Sequence, residues 1–171
     1  MFIFIFLLVA LFERQDTAHL TIATSTSAAV VAPGNGVSLW LDVVPKPKMH
    51  VYAPGQPGYI AIALRLEANP AYKAAKPLYP PAETMFMKVL NERQLVYTKP
   101  FRVIDNVTLA ATPAMRRHVT EGTPLTIKGS VRYQACDDKI CYLPTTVPVT
   151  WTINLTSRGQ LPMPNALSHK P

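Results

Sequence analysis

The clearest pattern along the chain is an alternation of apolar and polar residues in short runs. Each run places apolar side chains at every second position, which is typical of a β-strand with one face in the core and one in water. Proline, glycine and asparagine separate the runs, as turns require. The pattern predicts these strands: Val37–Val44, Met49–Tyr52, Tyr59–Ala68, Gln94–Thr98, Phe101–Ala111, Leu125–Gln134 and Thr146–Leu155.

These strands predict an all-β domain with no amphipathic helix. The natural architecture is an immunoglobulin-like antiparallel β-sandwich in a single domain, and a small closed barrel is the alternative. Composition agrees, because the 17 prolines of the chain are easier to place in turns and strand edges than in helices. The longest stretch without a strand pattern, residues 69–93, is predicted to be a functional loop.

The chain divides into three parts. Residues 1–31 are predicted to be a signal peptide or N-terminal anchor plus a linker, because residues 1–12 are almost purely apolar but too short to span a bilayer easily. Small residues at positions 25–29 offer cleavage sites. Residues 32–156 form the predicted domain, and residues 157–171 a flexible tail. We therefore expect a periplasmic or otherwise exported protein, which an uncleaved leader would keep near the membrane.

The net charge of +7 narrows the choice of partners. Basic residues are spread along the chain without interleaved aromatic residues, so the sequence predicts no nucleic acid partner. An acidic protein or an anionic membrane surface fits the charge better. No phosphate-binding glycine loop and no histidine spacing of a zinc site occurs, so neither a cofactor nor a resident metal is predicted. The histidines are His19, His50, His118 and His169.

The strongest candidate for chemistry is the pair Cys136 and Cys141, the only cysteines of the chain. The residues between them suit a hairpin, and opposed positions across a hairpin lie near the separation that a disulfide needs. A bridge that closes about six residues stabilises a fold by roughly 2 kcal/mol, against about 5 kcal/mol for about 100 residues. The pair is therefore predicted to be redox-active. We expect Cys141 to react first and Cys136 to resolve, and the reverse order stays open.

Neighbouring residues should modulate this pair. The acidic Asp137 and Asp138 are expected to disfavour a thiolate, so that a partner would have to activate the site. Tyr133 and Tyr142 flank the pair and are predicted to shield the sulfurs.

Two rival hypotheses remain at this point. One is a non-enzymatic exported binding module in which the disulfide is a structural staple. The other is copper handling, because the chain holds soft ligands that suit Cu(I), although they do not cluster along the sequence. These are Met49, His50, Met85, Met87, Met115, His118 and the two cysteines.

The run Tyr133–Pro144 resembles the cysteine motif of the DsbD family, in the N-terminal periplasmic domain of these thiol:disulfide interchange proteins. Residues 49–55, followed by residues 58–60, are similar to an early strand region of the same domain, and so is the closing segment at residues 148–151. The resemblance covers residues 36–156. It implies an immunoglobulin-like fold and a thiol–disulfide oxidoreductase of the protein-disulfide reductase type.

The resemblance also implies partners and supporting residues. A membrane-embedded redox protein would donate electrons, and thioredoxin-like periplasmic proteins, including those of cytochrome c maturation, would accept them. A cap loop at residues 80–92 would carry Phe86 as a shield over the cysteines, with His50 and Tyr52 beside the pair. The chain carries neither the membrane domain nor the thioredoxin-like domain of full-length relatives, so we expect the donor to be a separate protein.

Overall fold

The structure, a computed structural model, describes residues 13–88 and 91–157. These residues form 13 strands and one helix, which confirms the all-β prediction. The elements are β1 (Glu13–Asp16), β2 (Leu20–Thr26), β3 (Val30–Val31), β4 (Gly36–Pro45), β5 (His50–Tyr52), β6 (Ala63–Leu66), β7 (Tyr72–Ala74), β8 (Glu83–Met87), β9 (Glu92–Tyr97), β10 (Phe101–Leu109), α1 (Pro113–Glu121), β11 (Leu125–Tyr133), β12 (Ala135–Cys136) and β13 (Thr145–Leu155).

The strands form three sheets. A five-stranded sheet has the order β1-β2-β4-β10-β7, and a four-stranded sheet has the order β3-β13-β11-β6. A second four-stranded sheet, β12-β5-β9-β8, carries Cys136 at its edge. Among the described strands the pairing is antiparallel except between β3 and β13. The predicted immunoglobulin-like antiparallel sandwich is therefore confirmed, with the β12-β5-β9-β8 sheet added to the two that the sequence predicted.

The main core lies between the inward faces of the first two sheets. In β11, buried residues such as Ile127 and Val131 alternate with exposed ones such as Lys128, as the period of two predicts. Full burial of such aliphatic side chains contributes about 1.5–3 kcal/mol each. Trp151 of β13 is buried, and its Nε1 donates a hydrogen bond of 3.0 Å to the carbonyl oxygen of Trp40. This contact ties the two sheets together through a polar group that would otherwise be buried without a partner.

The N-terminal part of the structure differs from the predicted linker. Residues 13–31 contain β1, β2 and β3, and β2 lies between β1 and β4 in the five-stranded sheet. Leu20 and Ile22 of β2 are buried in the core. Cleavage at residues 25–29 would remove most of this strand, so those positions do not fit the folded domain.

The predicted leader and most of the predicted tail fall outside the part of the chain that the structure describes. These segments are residues 1–12 and residues 158–171. Within residues 13–88 and 91–157, no helix is both long enough and apolar enough to cross a membrane.

Helix α1 corrects the expectation that the domain has no helix. Thr112 caps its first turn by accepting a hydrogen bond of 3.3 Å from the amide of Met115, and Pro113 stands at its first position. Gly122 ends it in the left-handed region, at φ 65°. Met115 is the buried residue of the helix. A single buried side chain leaves no helical periodicity to detect, although the capping residues were visible in the sequence.

The predicted loop at residues 69–93 contains strands in the structure. It holds β7 and β8, and β8 pairs antiparallel with β9 along its whole length. Both β7 and β8 lie at the edges of their sheets. Edge strands bury little of either face, so their sequences do not show the apolar alternation that identified the inner strands.

Candidate functional site

The site is built on the sheet β12-β5-β9-β8. Cys136 in β12 lies directly opposite His50 in β5, and Tyr52 follows His50 by two residues on the same face of the strand. Tyr52, Val96 and Cys136 form a buried cluster of their own, separate from the main core, with Tyr59 and Met85 packed against it. Two short strands therefore place a cysteine, a histidine and a tyrosine on one face.

Cys136 and Cys141 are joined by a disulfide, with 4.0 Å between their Cα atoms. The two residues face each other as an isolated antiparallel bridge, as the hairpin prediction requires. Their environments differ, because Cys136 is only 1% exposed whereas Cys141 is exposed. One residue of the bond therefore belongs to the interior, and the other lies at the surface.

Exposed apolar residues lie on both sides of Cys141 in the sequence. Ile140 precedes Cys141 and is 56% exposed, and Leu143 follows two residues later at 86%. Single exposed apolar residues are ordinary on a protein surface. Here they flank the disulfide, so any protein docked against Cys141 would bury them.

Asp137 organises the turn between the cysteines. Its Oδ1 accepts hydrogen bonds from the amides of Lys139, at 2.7 Å, and Ile140, at 2.8 Å. Its Oδ2 accepts a bond of 2.9 Å from the hydroxyl of Tyr142. The amides of Ile140 and Lys139, and then the Tyr142 hydroxyl, hold the pKa of Asp137 below its usual value. The carboxylate expected to disfavour a thiolate is thus engaged in holding the turn.

The hydroxyl of Tyr52 lies against both sulfurs. It is 3.4 Å from Sγ of Cys136 and 3.4 Å from Sγ of Cys141. A disulfide sulfur carries no hydrogen, so the hydroxyl is the donor, and its single hydrogen can point to either sulfur. Burial, aided by the negative charge of Glu92, raises the pKa of Tyr52 to about 12. The hydroxyl therefore keeps its proton at neutral pH and can donate to a thiolate formed at either sulfur.

A buried polar layer lies behind the disulfide. The ring of Tyr59 stacks on Tyr52 at 4.2 Å between centroids, and Nε2 of Gln94 donates to the Tyr59 hydroxyl at 3.0 Å. The ring of His50 meets Tyr52 edge-on at 5.8 Å. Among the described residues, Nε2 of His50 and Oε1 of Gln94 have no hydrogen-bond partner. Burial lowers the pKa of His50, and the nearby Asp138 and Asp137 oppose that shift.

The N-terminal segment also reaches the site. The ring of His19 packs at a tilt against Tyr142, with 4.2 Å between centroids, and the hydroxyls of Thr17 and Tyr133 are 2.9 Å apart. Sequence reasoning gave His19 and Thr17 no role, because a contact across more than 100 residues leaves no local pattern. Gln94 could have been identified from the sequence as a buried polar residue. It lies two positions before Val96 in the same strand and therefore on the same inward face.

The residues predicted to shield the sulfurs lie in different parts of the structure. Tyr142 lies beside the turn, whereas Tyr133 is buried in the main core rather than in the cluster of Cys136. Phe86 is 52% exposed, and its neighbour Met85 is the residue of β8 that packs against that cluster. Successive strand residues face opposite sides, so Met85 and Phe86 cannot both point to the site. Shielding by Phe86 stays a prediction.

The soft ligands of the copper hypothesis do not all lie together: His50, Met85 and the two cysteines lie at the disulfide, whereas Met115 and His118 lie on α1. Met115 is buried in the main core, whereas Met85 packs against the cluster of Cys136. Residues 13–88 and 91–157 contain no group of three or more histidine, cysteine or acidic side chains arranged to hold a metal ion. Met85 and Met115 therefore have separate packing roles.

Structural comparison places the fold among known domains. The N-terminal periplasmic domain of ScsB from Proteus mirabilis superposes with a TM-score of 0.57 at 11% identity, over 84% of this chain. The match covers 51% of that structure, so this chain spans about half of its length. The reduced DsbD N-terminal domain of Neisseria meningitidis gives a TM-score of 0.46 at 16% identity, over 77% of this chain and 85% of that one.

A third structure, the GAE domain of GGA2p from Saccharomyces cerevisiae, gives a TM-score of 0.46 at 8% identity, over 84% of this chain and 97% of that one. No curated protein matches the sequence. The family described as the N-terminal domain of the thiol:disulfide interchange protein DsbD matches residues 19–152. That range includes β2, the whole disulfide loop and most of β13. The chain therefore belongs to the DsbD N-terminal domain family.

Proposed function

We propose that this domain carries out thiol–disulfide exchange with other proteins through Cys136 and Cys141. The observation that supports this most is the asymmetry of the bond, since Cys136 is 1% exposed and Cys141 is exposed. An exchange site needs one sulfur that a partner can reach and one that stays behind to resolve the mixed disulfide. A bridge across a short turn can also open without disturbing the main core, from which Cys136 is separate.

Reduction of the domain begins at the accessible sulfur. A donor thiolate attacks Sγ of Cys141, the bond to Cys136 breaks, and Cys136 leaves as a thiolate that takes up a proton. A second donor thiol then attacks the mixed disulfide and releases Cys141, so that the donor is oxidised and the domain holds two thiols. The Tyr52 hydroxyl, 3.4 Å from both sulfurs, can stabilise the thiolate at each stage.

Transfer to an acceptor reverses these roles. The Cys141 thiolate attacks the acceptor's disulfide, and one acceptor sulfur leaves as a thiolate. Cys136 then attacks Cys141, re-forms the intramolecular disulfide and expels the second acceptor thiolate. Two electrons thus pass to the acceptor. Ile140 and Leu143, both exposed beside Cys141, would be buried in the transient complex.

The partners follow from the family and from the compartment. We place the domain outside the cytoplasm, where disulfides persist, in keeping with the apolar residues 1–12 and with the periplasmic ScsB domain of similar fold. The donor would be a membrane-embedded redox protein, and the acceptors thioredoxin-like proteins of the same compartment, including those of cytochrome c maturation.

Trapping of mixed disulfides tests the proposal. In a Cys136→Ser variant exported to the periplasm, Cys141 can attack a partner but nothing resolves the product. We expect this variant to accumulate disulfide-linked complexes with thioredoxin-like proteins on non-reducing gels, and the Cys141→Ser variant to accumulate far fewer. The double variant is the matched control.

A reduction potential provides an independent readout. Structural disulfides have potentials below about −300 mV, whereas exchange-active ones are less negative. We expect the wild-type pair to equilibrate with a thioredoxin couple near about −270 mV. Failure of both single variants to trap any protein, together with a potential below the structural limit, would leave the disulfide as a staple.

A further inference from the structure

His50 stands out among the buried residues because its Nε2 has no hydrogen-bond partner in the described structure. The residue is 2% exposed, so bulk solvent does not reach it. A buried polar atom left unpaired costs about 1–3 kcal/mol. Because this atom lies beside the disulfide, we infer that its hydrogen-bond partner is present only when the disulfide is reduced.

The sheet register identifies that partner. His50 and Cys136 are directly opposed in β5 and β12, and residues opposed in this way carry Cβ atoms about 4.5–5.5 Å apart. In the oxidised domain the sulfur of Cys136 has no hydrogen to donate. Reduction converts it to a thiol, which is a donor on the same face of the sheet as the imidazole.

We propose that His50 accepts the proton of the Cys136 thiol and so acts as the base that allows Cys136 to resolve the mixed disulfide. The inference rests on the proposed exchange function and assigns the proton transfer within it. Cys136 is buried, so its thiol cannot pass the proton directly to water. A neighbouring base is needed because the thiolate, not the thiol, is the nucleophile.

With Cys141 bound to a partner sulfur, the proton of the Cys136 thiol moves to Nε2 of His50. The resulting thiolate attacks Sγ of Cys141, the new sulfur–sulfur bond forms, and the partner sulfur leaves with the electron pair of the broken bond. The imidazolium then gives its proton to the departing thiolate or to solvent, which restores neutral His50.

The other polar groups around the sulfurs cannot take this role. Tyr52 holds its proton, since burial raises its pKa to about 12. Asp137 already accepts three hydrogen bonds within the turn. Burial lowers the pKa of His50 in the oxidised domain, which favours the neutral imidazole, and a neutral imidazole carries an acceptor lone pair on one ring nitrogen.

The charges that face His50 suit a transient imidazolium. Asp138 and Asp137, both from the turn, interact favourably with a positive imidazole, whereas Tyr52 stays neutral. The reduced state adds the two thiols of Cys136 and Cys141. Protonation of His50 below neutral pH would remove the base, so the resolving step should slow in acid.

Rapid kinetics with 2,2′-dithiodipyridine isolate the step without any protein partner. Attack by Cys141 releases one thiopyridone, and resolution by Cys136 releases a second. We expect His50→Gln to slow the second phase at least tenfold at pH 7, with little change in the first, and to remove its further slowing below about pH 6.5. The matched control is His118→Gln, because His118 lies on α1 and bonds Thr123 at 2.9 Å.

A measurement on the unaltered protein covers the case in which His50→Gln does not fold. Nitrogen NMR of the histidine side chains should show the Nε2 resonance of His50 shifting on reduction, whereas His118 stays unchanged. An unchanged second phase in a folded His50→Gln domain, or a His50 resonance and titration identical in both redox states, would overturn the proposal. Because neither assay uses a protein partner, failure of partner trapping would contradict the exchange function without affecting this result.

Discussion

The imidazole ring of His19 lies against the phenol ring of Tyr142, with 4.2 Å between the centroids and 34° between the planes. His19 immediately precedes β2, whereas Tyr142 immediately follows Cys141. Tyr142 also donates to Asp137, the residue that holds the turn between the cysteines. The N-terminal strands thus support the disulfide loop from one side, through a segment that the sequence had suggested was only a linker.

This contact between rings should make the segment before β2 and the disulfide loop stabilise each other. In a double-mutant cycle with His19→Ala and Tyr142→Ala, we expect an interaction of about 0.5–1.5 kcal/mol in the free energy of unfolding, the usual size for an aromatic pair. Urea unfolding of the wild type, both single variants and the double variant measures it. Strictly additive effects would mean that the two rings do not support each other.

The inner strands were predictable for a simple physical reason. β4, β11 and β13 each put one face into the core and one into water, so their apolar residues recur at every second position. The cysteine pair was equally visible, because a bond across a short turn depends only on residues adjacent in the chain. Tyr52 and His50, in contrast, were placed beside the cysteines only by the resemblance to a known family.

The remaining features depend on contacts that the sequence does not display. Met85 rather than Phe86 packs against the cluster of Cys136, because the pairing of β8 with β9 decides which face of that edge strand turns inward. The contact of His19 with Tyr142 joins residues far apart in the chain. Local periodicity predicts that a strand exists, but not its neighbour in the sheet.

Removal of the Tyr52 hydroxyl should weaken the nucleophile at Cys141. We expect Tyr52→Phe, in a Cys136→Ser background, to slow alkylation of Cys141 by iodoacetamide at pH 7 about threefold to tenfold, because the thiolate loses a hydrogen-bond donor. The rate measured against pH should show a raised thiol pKa. The matched control is Tyr59→Phe, which loses a hydroxyl that bonds Gln94. Equal slowing in both variants would argue against a direct contact with the sulfur.

Asp105 should make the fold less stable as pH rises. The residue is 2% exposed, and burial raises the pKa of its carboxyl to about 6. An acid whose folded pKa lies above its unfolded value favours folding while it is protonated, and this contribution is lost as pH rises from about 4 to about 6. We expect a loss of about 2–3 kcal/mol over that window.

The Asp105→Asn variant tests this prediction, because an amide does not titrate in this range. Urea unfolding at pH 4.5 and pH 7.5 should show a much smaller difference in the variant than in the wild type. The control is Asp138→Asn, which removes an equal charge at an exposed position. A wild-type pH dependence that survives in Asp105→Asn would have to originate at another group.

The close approach of β6 to β11 leaves little space for a side chain at Gly129. A Cβ added there would lie 2.7 Å from the carbonyl oxygen of Arg65 and 3.1 Å from Cδ2 of Leu66, both in β6. We expect Gly129→Ala to lower the free energy of unfolding by about 1–3 kcal/mol, because β6 must move away from β11. In the matched control, Gly36→Ala, the nearest atom is the carbonyl oxygen of Val107 at an ordinary 3.7 Å. That variant should change the free energy of unfolding by less than about 1 kcal/mol. Equal losses in the two variants would mean that the contact with β6 relaxes without cost.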